Sequence, residues 1–155
     1  MILTPPVDVA ISTLNRLKEF FIGLGFARIK ISDPDTHDRI IAYTSQLAHV
    51  LSSAYIKSDA AFEHTGFSAG SFKDMTRVAT MQPDMWTELC MANRDPLIAE
   101  ISGLIQHLSE YRDALQKQDV KELEQLFTDG RDRKAAVDRQ EREALEYLEK
   151  NKLGK

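Results

Sequence analysis

The chain has 155 residues, 43% of them hydrophobic and 28% charged, with a net charge of -4. That is about one domain's worth of sequence, without the run of about 18 apolar residues that crosses a membrane and without the dense Lys/Arg surface that phosphate backbones require, so neither a membrane nor a nucleic acid is an expected partner. The single cysteine, Cys90, excludes an internal disulfide and a cysteine-built zinc site, and the opening MILTPPVDVA lacks the basic and apolar regions of a secretory signal, which leads to an expected cytoplasmic location.

In chain order, ILT before Pro5 and Pro6 reads as a short strand. Ala10, Leu14, Leu17, Phe21 and Leu24 then recur at steps of four and three, one face of a helix, with Gly25 as its cap. FARIKI alternates Ala27, Ile29 and Ile31 against Phe26, Arg28 and Lys30, the period of a strand. Residues 1–32 thus read as β-α-β. Two strands leave unpaired edges and an uncovered face, so the expectation is that they end a larger α/β domain and that Met1 is not the natural start. A small two-stranded flap packed on the helices is the other reading.

From Asp33 onward the pattern is helical. Asp33, Pro34 and Asp35 mark the boundary, with Asp35 or Thr36 as N-cap of a helix running to about Lys57, whose apolar side carries Ile40, Tyr43 or Thr44, Leu47, Leu51 and Tyr55. The turn-rich SDAAFEHTGFSAG leads to a helix over about 71–81, and Pro83 opens another that ends near Asn93. In that helix Cys90 reads as a small buried hydrophobe and not as a nucleophile. A further helix from Pro96 places Leu97, Ile101, Leu104, Leu108, Tyr111 and Leu115 on a heptad seam. Val120, Leu123, Leu126 and Phe127 carry the apolar pattern to Gly130. Beyond it, Asp138, Arg142, Glu146 and Lys150 alternate in sign at every fourth position, as on an exposed helix.

Two polar groupings stand out. At about 100° per residue, Asp38, Ser45 and His49 fall within roughly 40° on one helix face, either a solvent stripe or a site that Ala42 leaves room to approach. Lys73 and Arg77 lie one turn apart, with Asp74 and Gly70 beside them. Such a pair forms a surface salt-bridge cluster or converges on an anion, where arginine grips a carboxylate with two parallel hydrogen bonds. His37-Asp38 with His49 and His64 lacks the further ligands of a metal phosphohydrolase, so no metal site is expected. No G-x-G-x-x-G, Walker loop, G-x-S-x-G or H-E-x-x-H is present.

THDRIIAYTSQLAHVLSSA followed by GFSAGSFKDMTRVATMQPDMWTELCMANRDPLI resembles the C-terminal helical domain of prephenate dehydrogenases, NAD-dependent enzymes of tyrosine biosynthesis. The ordered pattern H-D-x6-S-x-L-x-H with G-x-F-x-D-x-T-R-x8-W carries the resemblance, which covers nearly the whole chain. It implies a mainly α fold, a helical dimerisation domain of the 6-phosphogluconate-dehydrogenase C-terminal-like type over 33–155, preceded at 1–32 by the last β-α-β of a nucleotide-binding domain. By the same resemblance Arg77 binds a substrate carboxylate, Ser45 and His49 line the pocket, Gly70 and Trp86 approach a partner's active site, and Lys73 and Asp74 stand near the entrance. Asp38 remains a polar residue of the helix face, and Trp86 is either a pocket wall, a dimer anchor or core packing. The implied partners are a second copy and prephenate, with NAD held mainly outside this chain. No catalytic residue is expected here, so the chain alone would be inactive. Where many relatives have S-H-L-P-H this chain has S-Q-L-A-H. An arogenate dehydrogenase domain and a non-catalytic dimerisation or regulatory module with an acidic ligand are the alternative readings.

Overall fold

The computed structural model describes residues 1–67 and 70–152, the side chains of 147–152 excepted. It divides into two compact units, Met1–Ser102 and Gly103–Lys155.

The first unit begins as β-α-β. Strand β1 (Ile2–Leu3) pairs in parallel with β2 (Lys30–Ile31), Ile2 opposite Lys30 and Leu3 opposite Ile31. The expected strand over 26–31 is thus reduced to its last two residues, because β1 offers only two residues to pair with. Helix α1 (Ile11–Gly23) ends as the sequence suggests. Gly25 has φ 93°, its N–H bonds to Ile22 O and that of Phe26 to Phe21 O, while the Phe21 and Phe26 rings meet edge to face at 5.8 Å. This is a Schellman ending, which a residue without Cβ adopts without strain. No residue of α1 is buried, and Ile11, Phe20, Ile22 and Leu24 are exposed.

Helix α2 (Pro34–Ile41) is capped by Asp33, not by Asp35 or Thr36: the Asp33 carboxylate accepts the Thr36 N–H at 2.8 Å and Pro34 takes the first helical position. The helix does not run on regularly. Residues Ala42–Gln46 form a π-helical turn, in which the Leu47 N–H reaches back five residues to Ala42 O, before α3 (Leu47–Tyr55) resumes the α pitch. A short 3-10 turn, Asp59–Phe62, follows. Helix α4 (Gly70–Thr76) is shorter than the expected 71–81, and residues 77–80 are turn, so Arg77 sits just beyond its end. Helix α5 (Pro83–Ala92) has Pro83 at its start, as expected. Asn93 then joins it to α6 (Arg94–Gln116), which begins at Arg94 and not at Pro96. The Asn93 N–H bonds to Leu89 O, and its own carbonyl accepts the Leu97 N–H. The unit's buried residues, Ala42, Gln46, Leu47, Ser52, Asn93 and Leu97, concentrate around the π turn.

In the second unit, the latter part of α6 and helix α7 (Val120–Lys152) are joined by a tight reversal. Gln118 has φ 54°; its N–H bonds to Leu115 O and that of Asp119 to Ala114 O, and the Asp119 side chain then caps α7 through the Glu122 N–H. The Tyr111 hydroxyl donates to Leu126 O at 3.0 Å, beside a Tyr111–Phe127 ring contact at 5.2 Å. Gly130 lies within α7, where a Cβ would sit 3.9 Å from the Tyr111 hydroxyl. Lys134 pairs with Asp138 one turn on; the side chain of Lys150, at the end of the expected charged row, lies outside the described residues.

Candidate functional site

The structure joins three of the expected residues, Ser45 through its backbone carbonyl and His49 and Trp86 through their side chains. His49 lies one turn beyond Ser45, and its Nδ1 is 2.9 Å from Ser45 O. A carbonyl oxygen only accepts, so Nδ1 carries the proton of that bond and Nε2 is left for another partner. Across from it, the indole of Trp86 on α5 stacks on the imidazole with centroids 3.6 Å apart and planes 25° from parallel. Both Trp86 and His49 are half-buried. The arrangement offers a flat, partly dry wall with a polar nitrogen at its edge, suited to an aromatic or cyclic ligand bearing a hydrogen-bonding group.

Asp38 does not belong to this face. The π turn over Ala42–Gln46 lies between it and His49 and accommodates one extra residue, so an α-helical wheel drawn from Asp38 to His49 errs by about one residue's rotation, roughly 100°. The Asp38 carboxylate instead meets His37 Nδ1 at 2.9 Å, and the residue lines an open cleft of about 410 Å³ together with Asp35 and residues 91–96. The single α-helical face read from the sequence is therefore corrected to two.

Sequence reasoning passed over the residues that fix this geometry. Gln46, 5% exposed, donates from Nε2 to Leu89 O at 3.0 Å and accepts at Oε1 from Asn93 Nδ2 at 2.8 Å. The same Asn93 amide donates to Asp38 O at 2.8 Å. Because both backbone carbonyls can only accept, each side-chain nitrogen must face its carbonyl, which settles both amide orientations. The departure from the S-H-L-P-H pattern at this position was the available signal.

The second constellation is presented differently. Gly70, Lys73 and Asp74 lie on α4 and Arg77 just after it, all exposed, and none of the three charged residues makes an ion pair among the described residues. Helix α4 is held to the end of α3 by Phe72, which lies between Tyr55 (6.2 Å) and the stacked ring of His64 (4.4 Å). Among the described residues no cluster of His, Cys, Asp and Glu gathers as metal ligands, and no helix is long and apolar enough to cross a membrane. Cys90 is half-buried and free, not fully buried as expected.

A family model described as the prephenate dehydrogenase dimerization domain matches residues 33–129. The cyclohexadienyl dehydrogenase of Zymomonas mobilis is 28% identical over 143 residues, which span 88% of this chain and 48% of that protein. The prephenate dehydrogenase of Lactococcus lactis is 30% identical over 129 residues, 80% of this chain and 36% of that protein. The chain therefore spans between about a third and a half of the length of these relatives. Among solved structures, Synechocystis arogenate dehydrogenase superposes with a TM-score of 0.73 at 23% identity, covering 88% of this chain and 51% of that one. The Aquifex aeolicus prephenate dehydrogenase in complex with hydroxyphenyl propionate and NAD+ gives 0.73 at 23% identity, covering 88% and 49%. These likenesses show the same mainly helical fold.

Proposed function

The chain belongs to the prephenate dehydrogenase dimerization-domain family, and from that premise we propose that it supplies the dimer interface and the substrate-carboxylate contacts of an NAD-dependent prephenate dehydrogenase. The family match over residues 33–129 is the observation that carries the reading. Within the proposal, residues 33–155 are the helical domain and residues 1–32 close an α/β nucleotide-binding domain. The uncovered apolar side chains of α1 support the second part, since no residue of this helix is buried and Ile11, Phe20 and Ile22 are all exposed, as on a helix without the larger sheet it would pack on.

Prephenate is a dianion on a six-membered ring. Holding it in a partly dry pocket calls for donors that replace its water shell. Arg77 is the proposed carboxylate clamp, exposed and without an intrachain ion pair among the described residues, so its fork is available. His49 presents Nε2 from a ring fixed by Ser45 and Trp86, and that edge orients the substrate. Gly70, Lys73 and Asp74 occupy the approach. NAD is the hydride acceptor of the proposed reaction, oxidative decarboxylation of prephenate to 4-hydroxyphenylpyruvate. The β1–α1 turn of this chain does not fit its pyrophosphate: Pro5 and Pro6 bring no N–H donors, and α1 begins without a side-chain cap. The dinucleotide is accordingly assigned to the remainder of the longer protein, and the cytoplasm is the proposed compartment.

The partner is a second copy. Ile105, Leu108, Leu115, Val120 and Phe127 are exposed on α6 and α7, more apolar surface than a short helical hairpin leaves uncovered without a reason. The test is the full-length protein assayed for prephenate-dependent NADH formation, with arogenate as the competing substrate. Turnover of prephenate is expected. Exclusive turnover of arogenate replaces the substrate, and absence of turnover with either overturns the proposal in favour of a non-catalytic module.

A further inference from the structure

We propose that Gln46 and Asn93 are positioning residues whose amide pair sets the stacking of His49 on Trp86. The structural half of this stands on the hydrogen bonds; its bearing on substrate rests on the reading of His49 and Trp86 as part of the prephenate pocket.

The two stacked rings sit on different helices, and each helix is held at a position close to its ring. Gln46 closes the π turn, between Ser45 and His49, and its Nε2 bonds to Leu89 O, three residues after Trp86 on α5. Asn93 takes Gln46 Oε1 and Asp38 O with one nitrogen, and so ties the α5–α6 joint both to the helix before the π turn and to the last residue of the turn. The buried amides therefore fix two relations at once: the separation of α3 from α5, and the extra residue that turns His49 toward Trp86. Apolar packing alone sets such relations weakly, because it is non-directional, whereas two amides aimed at fixed carbonyls specify an orientation.

Removing the pair leaves the fold its backbone bonds. Leu89 O keeps the Asn93 N–H and Asp38 O keeps the Ala42 N–H, so neither carbonyl is orphaned. Gln46→Met keeps reach and bulk while deleting both of its side-chain bonds; Asn93→Leu keeps the branched shape.

Trp86 is the only tryptophan of the chain, and a Trp86→Leu control isolates the ring-current shift it imposes on His49. In nuclear magnetic resonance spectra of the unsubstituted chain, the His49 ring protons are expected upfield of those of a free histidine. Gln46→Met is expected to move them back toward the position seen in a Trp86→Leu control, with far-UV circular dichroism unchanged. Unmoved resonances in a folded Gln46→Met or Asn93→Leu chain overturn the proposal. Independently of any variant, a Gln46 side-chain amide that exchanges as fast as free glutamine does the same. In the full-length enzyme Gln46→Met is expected to raise KM for prephenate by between about tenfold and a hundredfold, the range for misplacing a binding group, with little change in kcat. Resonances that move while KM does not would confirm the amide pair's effect on the rings and overturn the assignment of those rings to the substrate pocket.

Discussion

Replacing Arg77 by lysine keeps the charge and removes the planar fork, which separates bidentate recognition from general attraction. Arg77 is exposed, lies in the turn after α4 and makes no ion pair among the described residues. Folding stability should therefore change by no more than about 0.5 kcal/mol, the range for surface sites free of special contacts. Losing one charge-assisted contact to a desolvated carboxylate removes about 2 to 5 kcal/mol, or roughly 30-fold to several thousand-fold in kcat/KM. The two effects differ enough to be read separately. The assay is steady-state kinetics on full-length Arg77→Lys, with melting temperature and sedimentation measured on the same preparation. A large rise in KM with stability and association intact is expected, and Lys73→Ala should give a much smaller one. An unchanged KM, or a loss that only tracks dissociation, refutes the reasoning.

Sedimentation equilibrium of the chain at micromolar concentration should give a dimer; a 17.6 kDa species alone would contradict the proposed interface. The hydrogen bonds from Thr36 hold the Asp33 carboxyl below its ordinary value. With the folded value the lower one, its stabilising effect is complete above the unfolded pKa and is lost as pH falls through the folded pKa. Asp33→Asn retains the capping acceptor without the ionisation, so its melting temperature should fall less than that of the parent between neutral pH and about pH 3; parallel acid profiles would exclude the cap as a source of acid sensitivity. Gln118→Gly relieves a left-handed backbone at φ 54° and should stabilise the chain by up to about 1 kcal/mol. A lower melting temperature in thermal denaturation would show that the side chain matters more than the backbone.

The elements that the sequence disclosed were those with an unambiguous local cause. Gly25 after an amphipathic run announced the end of α1, and Pro83 the start of α5. The turn after α6 was harder to see because Gln118 takes a conformation normally signalled by glycine or asparagine, and its apolar neighbours Leu115 and Val120 bridge the break in the pattern. The early end of α4 had no marker either, since Val78 and Ala79 suit a helix as well as a turn. At the site, Ser45 and His49 were legible as an i,i+4 pair, and Trp86 as a large side chain needing a partner. Their contact with each other was not, because it depends on how α5 meets α3. Asp38 was misplaced for a different reason: a wheel of constant pitch has no term for a π turn. The amide pair depends on partners 43 and 47 residues apart, a separation that local pattern does not encode.

Because the turn over Ala42–Gln46 holds one residue more than an α-helical turn, a codon gained or lost within it would re-index the helix on one side relative to the other. Loss of one residue from positions 42–44 would swing His37 and Asp38 around the axis while Ser45 and His49 kept their own spacing. Descendants of such a sequence could thus exchange the chemistry of the cleft beside Asp38 through a length change, without substituting either histidine. Aligning relatives across this helix consequently calls for a permitted one-residue gap at 42–46, since an ungapped comparison would pair side chains that point in different directions.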